Sequence, residues 1–219
     1  MGVPMRLRYQ EKLTEIHSDV IRMGNEALDM VRHAAEGALS HDAEVLEQVL
    51  AQDDVVDALE RALFMKTVVI VMQEQPVAQD LRLLVSTLGV VGEIEKVADN
   101  AVKLARRSQK LGQPIPVELR KPFSDIAELA RRQFAASLKL YSEYDSALAR
   151  EIIHGDNEVD RAYSAARNQI FGVEQADQEQ LTTLYRTVES FHALEHISDN
   201  SVEIARRLRM LYELEMDSA

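Results

Sequence analysis

The sequence predicts an all-α protein made of two tandem, structurally similar three-helix bundles, and three observations carry that prediction. A run that opens with Glu95-x-x-x-Asp99 and closes with Arg106-Arg107 returns 100 residues later as Glu195-x-x-x-Asp199 through Arg206-Arg207, so one unit is written twice. Apolar side chains recur at steps of three and four over long stretches, without the alternation that marks a strand. Asp, Gly and Pro then punctuate those stretches at the joins.

Residues 9–40 place Leu13, Ile16, Val20, Met23, Ala27, Met30, Ala34 and Ala38 on one face, which predicts a first helix with a core-facing stripe. His41-Asp42 breaks it, with Asp42 suited to cap a second helix of about 30 residues that runs to Gln75-Pro76. A third helix restarts from Pro76, which is tolerated in a first turn, with Asp80 near its positive end. Its stripe is Val90, Ile94, Val97, Ala101 and Leu104, and Glu95 and Asp99 sit one position past stripe residues. Arg106 and Arg107 are read as offsetting the dipole at the end of that helix, not as an anion site.

Three prolines and a glycine within residues 110–122 predict a linker. Residues 1–111 are therefore assigned to the first bundle, 112–122 to a proline-rich linker and 123–219 to the second bundle. Asp145 stands for Asp42, and Asp156 and Asp160 for Asp53 and Asp57, at an offset of 103. The offset falls to 100 by the last helix, which predicts a connection three residues shorter around Gly172.

Composition narrows the function. The 219 residues are 46% hydrophobic, enough for a sizeable core. Asp+Glu 37 against Lys+Arg 25 gives a net charge of -12, which disfavours nucleic acid and acidic lipid as direct partners. Without cysteine there are no disulfides, thiolate metal sites or thiol nucleophile. The first residues lack the apolar core of a signal peptide, and the longest apolar run, residues 68–72, is far too short to span a bilayer. A cytoplasmic protein without direct membrane insertion is expected.

Chemistry is concentrated in the acidic pairs. Glu95 with Asp99, Glu195 with Asp199, Asp53 with Asp57 and Asp156 with Asp160 are each four apart, so both carboxylates of a pair share one helix face. Two bare carboxylates about 6 Å apart repel by about 3 kcal/mol at an effective dielectric of about 20. Where antiparallel helices bring two pairs together, they demand a cation, protonation or outward splay. Oxygen ligands suit Mg²⁺, Ca²⁺ or Mn²⁺, and carboxylate clusters also hold iron. The competing reading is a solvated face with salt bridges to Lys96, Arg61 or Arg161; recurrence in both copies argues against it.

Other signatures are set aside. Glu189-x-x-His192 resembles half of a di-iron motif, but copy one has Gly89 and Gly92 there. His196 corresponds to Lys96 and is read as a surface residue. No phosphate-cradling loop, zincin motif or nucleophile elbow is recognised. Ser198 and Ser201, with no base spaced to activate them, are read as small packing residues.

Asp53-x-x-Val56-Asp57, Asp156-x-x-Val159-Asp160, the run from Gln75-Pro76 to Asp80-Leu81-Arg82, and the two Glu-x-x-x-Asp pairs together resemble the PhoU family, over nearly the whole chain. The resemblance implies a cytoplasmic, often homodimeric protein without catalysis. It implies metal ions on the bundle surface, held by Glu95, Asp99, Glu195 and Asp199 with Asp53, Asp57, Asp156 and Asp160 helping; Fe, Mn, Zn, Mg or Ca would serve. It further implies an adaptor between the ATPase subunit of a phosphate ABC transporter and a sensor histidine kinase, repressing phosphate-starvation signalling and restraining uptake when phosphate is plentiful. The sequence departs from the family pattern Glu-Arg-Ile-Gly-Asp-His at Lys96 and His196, at Ala98 and Ser198, and at Asn100 and Asn200. Its carboxylates are intact, which leaves the expected site all oxygen. The alternatives are a carboxylate-bridged metalloenzyme of phosphoesterase or oxidase type, and a metal-storage protein.

Overall fold

A computed structural model of the chain describes residues 5–172 and 177–216. It contains six helices: α1 (Met5–Ser40), α2 (Ala43–Glu74), α3 (Ala78–Leu111), α4 (Val117–Ser142), α5 (Ser146–Phe171) and α6 (Gln178–Met216). No strand occurs among the described residues. α1, α2 and α3 pack on one another, as do α4, α5 and α6, and the most extensive interhelical packing joins α3 to α6. α1 also meets α4, so four helices form the centre and α2 and α5 flank it.

The joins follow local chemistry. The carboxylate of Asp42 accepts from the amides of Glu44 and Val45 at 3.0 and 3.2 Å, and Asp145 accepts from Ala147 and Leu148 at 2.6 and 2.9 Å. These side chains satisfy amides that a helix start leaves unpaired. α2 ends at Gln75, which takes the left-handed conformation (φ 46) and closes back on Val71. α3 begins two residues after Pro76, with Val77 as its N-cap, so the proline precedes the helix instead of occupying its first turn. At Gly112 the φ of 72 ends α3 in a conformation that favours glycine.

The linker is shorter than its proline content suggests. α4 starts at Val117 and contains Pro122. That proline lies close enough to the helix start to forfeit one ladder bond, to the carbonyl of Glu118, without disrupting packed turns before it. Residues 112–116 remain as connection, with Ile115 fully buried and its amide donating to the Ala38 carbonyl at 3.4 Å. The offset change also has another origin than expected. α5 has 26 residues where α2 has 32, so the missing residues come off the end of the helix; part of the connection near Gly172, residues 173–176, lies outside the described residues, as do 1–4.

The core follows the expected stripes: Val20, Met23, Ala27, Met30 and Ala34 on α1 and Val90, Ile94, Val97, Ala101 and Leu104 on α3 are fully buried. Close approach replaces bulk at Gly24, where an added Cβ would lie 2.4 Å from a Leu138 methyl of α4. Beside it His17 of α1 stacks on Tyr141 of α4 at 5.0 Å. α3 and α6 run antiparallel and exchange polar ties. Arg107 donates to the Glu189 carbonyl, Arg186 to the Lys110 carbonyl, and Arg207 to the buried Glu93 at 2.9 Å, while Lys96 reaches Glu93 at 3.2 Å. Arg107 and Arg207 therefore bind the opposite repeat, which corrects the reading of Arg107 as a dipole-offsetting residue.

Phe191 is 1% exposed and meets Phe123 edge-on at 5.2 Å. Phe191→Ala is expected to destabilise the protein by about 3–5 kcal/mol in urea unfolding, whereas Met72→Ala, on a residue 73% exposed, should change it by less than about 0.5 kcal/mol. Equal effects would contradict the core described.

Candidate metal centres

Each repeat gathers its carboxylates where its second and third helices face each other, but the two gatherings differ. In the second repeat Asp156 and Asp160 of α5 and Asp199 of α6 each bring a carboxylate oxygen within 4.8 Å of the others. A further group adjoins it: His192, Glu195 and His196 of α6 bring ligand atoms within the same 4.8 Å of one another. The two groups touch, since His196 Nδ1 lies 3.5 Å from Asp199 Oδ2. Ser198 donates to Gln133 Oε1 at 2.8 Å and lies 3.3 Å from Asp156 Oδ1. It is fully buried as expected of a packing residue, yet it also steadies a site carboxylate.

In the first repeat Asp53, Asp57, Glu95 and Asp99 share a neighbourhood with Glu60, but no three of them close to the same tightness among the described residues. Built-in cations pair with two of them: Arg61 with Asp57 at 3.2 Å and Lys103 with Asp99 at 3.6 Å. Lys96 turns to Glu93. Arg161, which the competing salt-bridge reading would pair with the acids of the second repeat, donates to the Asn157 carbonyl.

Crowding and burial shape the titration. Burial, with Asp99, Glu60, Asp57 and Asp53 adding, pushes Glu95 up. Burial followed by Asp57 and Asp99 pushes Asp53 up, with Arg106 opposing. Asp156 rises through burial, Asp199 and Asp160; Asp199 rises through burial and Asp160 while His196 opposes. The largest effect falls on Glu195, pushed up to about 7 by burial and then by Asp199, Asp160 and Asp156. Burial and His196 push His192 down, which favours the neutral imidazole that binds metals.

These residues fit a cation. Glu195 Oε2 is buried without a hydrogen-bond partner, a costly arrangement that a bound ion relieves. Asp156, Asp160, Glu195 and Asp199 would hold it in the second repeat, with Asp53, Asp57, Glu95 and Asp99 as the counterparts in the first. In the second repeat His192 and His196 also bring ring nitrogens beside the oxygen donors, and His196, with a side chain 44% exposed, lies at the surface as expected. A signal was present: His192-Ala193-Leu194-Glu195-His196 has the His-x-x-Glu-His spacing of reversed zincin motifs. Copy one has Gly92 and Lys96 in those places, so the spacing is not repeated. Asn100 and Asn200 bond back to the carbonyls of Lys96 and His196, at 2.8 and 2.7 Å.

Glu195 ionises at about 7 when folded against an ordinary 4.5, so the stability linked to its proton is complete below about 4.5 and lost as pH rises through about 7. Chelator-treated protein should therefore lose thermal stability between about pH 5 and 8 more steeply than the Glu195→Gln variant. Saturating Mn²⁺ should remove the difference by displacing the proton. Parallel wild-type and variant profiles in differential scanning calorimetry would refute the crowding.

Comparison with known proteins agrees with this architecture. The PhoU domain matches residues 20–108 and 123–208. A protein of Clostridium acetobutylicum named phosphate-specific transport system accessory protein PhoU homolog is 24% identical over 197 residues, 90% of each chain. One of the same name from Pseudomonas putida is 26% identical over 203 residues, covering 90% of this chain and 78% of that one. The crystal structure of PhoU from Pseudomonas aeruginosa superposes with a TM-score of 0.89 at 25% identity, over 94% of this chain and 99% of that one. The phosphate transport system regulatory protein PhoU from Streptococcus pneumoniae, at 20% identity, shares the fold with a TM-score of 0.83, over 93% and 96%. With the domain matched twice across most of its length, the chain belongs to the PhoU family.

Proposed function

We propose that this protein is a non-enzymatic accessory regulator of phosphate transport, a metal-bearing adaptor that restrains uptake and starvation signalling when phosphate is plentiful. Its partners in this reading are the ATPase subunit of a phosphate ABC transporter and a sensor histidine kinase, met in the cytoplasm by a homodimer. The observation that carries the proposal is the pair of carboxylate centres at equivalent places in the two repeats of a chain whose relatives are named as transport accessory proteins. Bound cations would neutralise two like-charged helix faces and fix a docking surface. Exposed Met65, Val69, Met72, Val77, Leu81 and Val85, on α2, the connection after it and α3, supply apolar area for a protein contact. No described helix is long and apolar enough to cross a membrane, so the tie to a transporter runs through protein contacts in this reading.

A second reading is favoured by one observation, the His192, Glu195, His196 group, whose donors are those of hydrolytic metal sites. Turnover of an aryl phosphate ester by the Zn²⁺- or Mn²⁺-loaded protein, lost with Glu195→Gln, would replace the adaptor reading with it.

The quadruple variant Glu95→Gln, Asp99→Asn, Glu195→Gln, Asp199→Asn should keep its helix content by circular dichroism and lose its divalent ions in elemental analysis. It should also lose at least about tenfold in affinity for the immobilised transporter ATPase. Wild-type binding to ATPase and kinase after complete metal removal would sink the metal-dependent adaptor, and many readily released ions per chain would favour storage.

A further inference from the structure

The two repeats place different chemistry around equivalent carboxylates, and the differences act together. Where the first repeat has Gly92 and Lys96, the second has His192 and His196, whose rings lie 4.1 Å apart between centroids. Glu60, a carboxylate beside Glu95, is replaced by Tyr163, whose ring stacks on His192 at 6.0 Å. Arg61 and Lys103, which neutralise Asp57 and Asp99 from within, are replaced by Ser164 and Glu203. Arg206, which stands where the first repeat has Arg106, pairs with Glu203 while still acting on Asp156. The first repeat thus carries its own cations and offers only oxygen; the second lacks those cations, gains two imidazoles and leaves Glu195 Oε2 without a hydrogen bond, 3.7 Å from His192 Nε2.

We propose that the second repeat holds a late first-row divalent ion, of the Zn²⁺ class, through His192, Glu195 and His196, beside the all-carboxylate position of Asp156, Asp160 and Asp199, and that the first repeat has no equivalent of it. The inference rests on the metal-binding part of the function proposed above. Imidazole nitrogen favours zinc, nickel or copper over magnesium, calcium and manganese, whereas carboxylate oxygen alone suits the latter. His192 and His196 are one turn apart with Glu195 between them, so one helix face presents two nitrogens and an oxygen to a single ion. Tyr163 supports one imidazole from the side, and Asp199 lies at hydrogen-accepting range of the other, as carboxylates that orient ligating histidines do. Within one chain, the repeats would select different metals.

The full-length protein, stripped of metal, is titrated with Zn²⁺ against a chromophoric chelator in excess Mg²⁺. Wild type should bind one tight Zn²⁺ per chain. His192→Ala with His196→Ala should weaken it at least about tenfold, and Glu95→Gln with Asp99→Asn should leave it unchanged. Both histidine side chains are 44% exposed, so the double variant keeps its core, which circular dichroism checks. Transplanting the pair as Gly92→His with Lys96→His into that variant should create a new Zn²⁺ site; an added Cβ at Gly92 meets nothing within 4 Å. Zn²⁺ affinity unchanged by loss of His192 and His196, or lowered equally by the Glu95 and Asp99 variant, overturns the proposal. So does a transplant that gains no Zn²⁺. If Mn²⁺ still binds in those cases, the carboxylate centres stand and only the nitrogen site falls; if neither ion binds wild type, the metal-binding reading falls as well.

Discussion

The antiparallel packing of α3 against α6 is the constraint on which the rest depends. Each of these helices carries an apolar stripe toward its own bundle and, on another face, the groups that meet the opposite repeat. Arg107 and Arg207 sit at equivalent positions and reach across in opposite senses, one to the Glu189 carbonyl and one to Glu93. Once those faces are spent, the remaining faces look outward toward α2 and α5. Glu95, Asp99, Glu195 and Asp199 lie there, one position past the stripe, half-buried at the edge of the packed surface. The carboxylates are thus held at the boundary between core and solvent by the same periodicity that builds the bundles.

That boundary makes their charge matter. On a fully solvated face acidic pairs would splay apart at little cost. Partial burial weakens solvent screening, so Glu95 and Glu195 both hold their protons to higher pH than an ordinary glutamate. The repeats answer the same crowding in different ways. The first supplies Arg61 and Lys103; the second supplies neither, and its carboxylates close to within 4.8 Å. A duplicated unit has kept the sequence spacing of its acids and altered their counter-charges.

Much of this was legible in the sequence. Helix count, the core stripes of α1 and α3 and the capping aspartates follow from periodicity and short-range chemistry, which a linear sequence displays directly. The acidic pairs were legible as well, because recurrence separated them from ordinary surface acids. The linker was overdrawn because Pro122 looks like a helix breaker and is one only when a ladder of turns precedes it. Pro76 was placed inside α3 for a related reason, since a helix start is fixed by backbone angles that proline alone does not dictate. The grouping of His192 and His196 with Glu195 was not legible from matching the two copies, which rewards what they share and not where they differ. Which of Arg106 and Arg107 turned inward depended on the crossing of α3 and α6, which sequence does not display.

The anchored connection between the bundles bears on how strong their contact has to be. Residues 112–116 are few, and Ile115 is tied to α1 through burial and the Ala38 carbonyl. A tether this short keeps each bundle in the presence of the other at an effective concentration on the order of millimolar or above. Association that would demand high affinity between separate subunits becomes an intramolecular event, favoured even by a modest interface. The polar ties between α3 and α6 are therefore free to set orientation and register, with cohesion shared between the packed core and the tether.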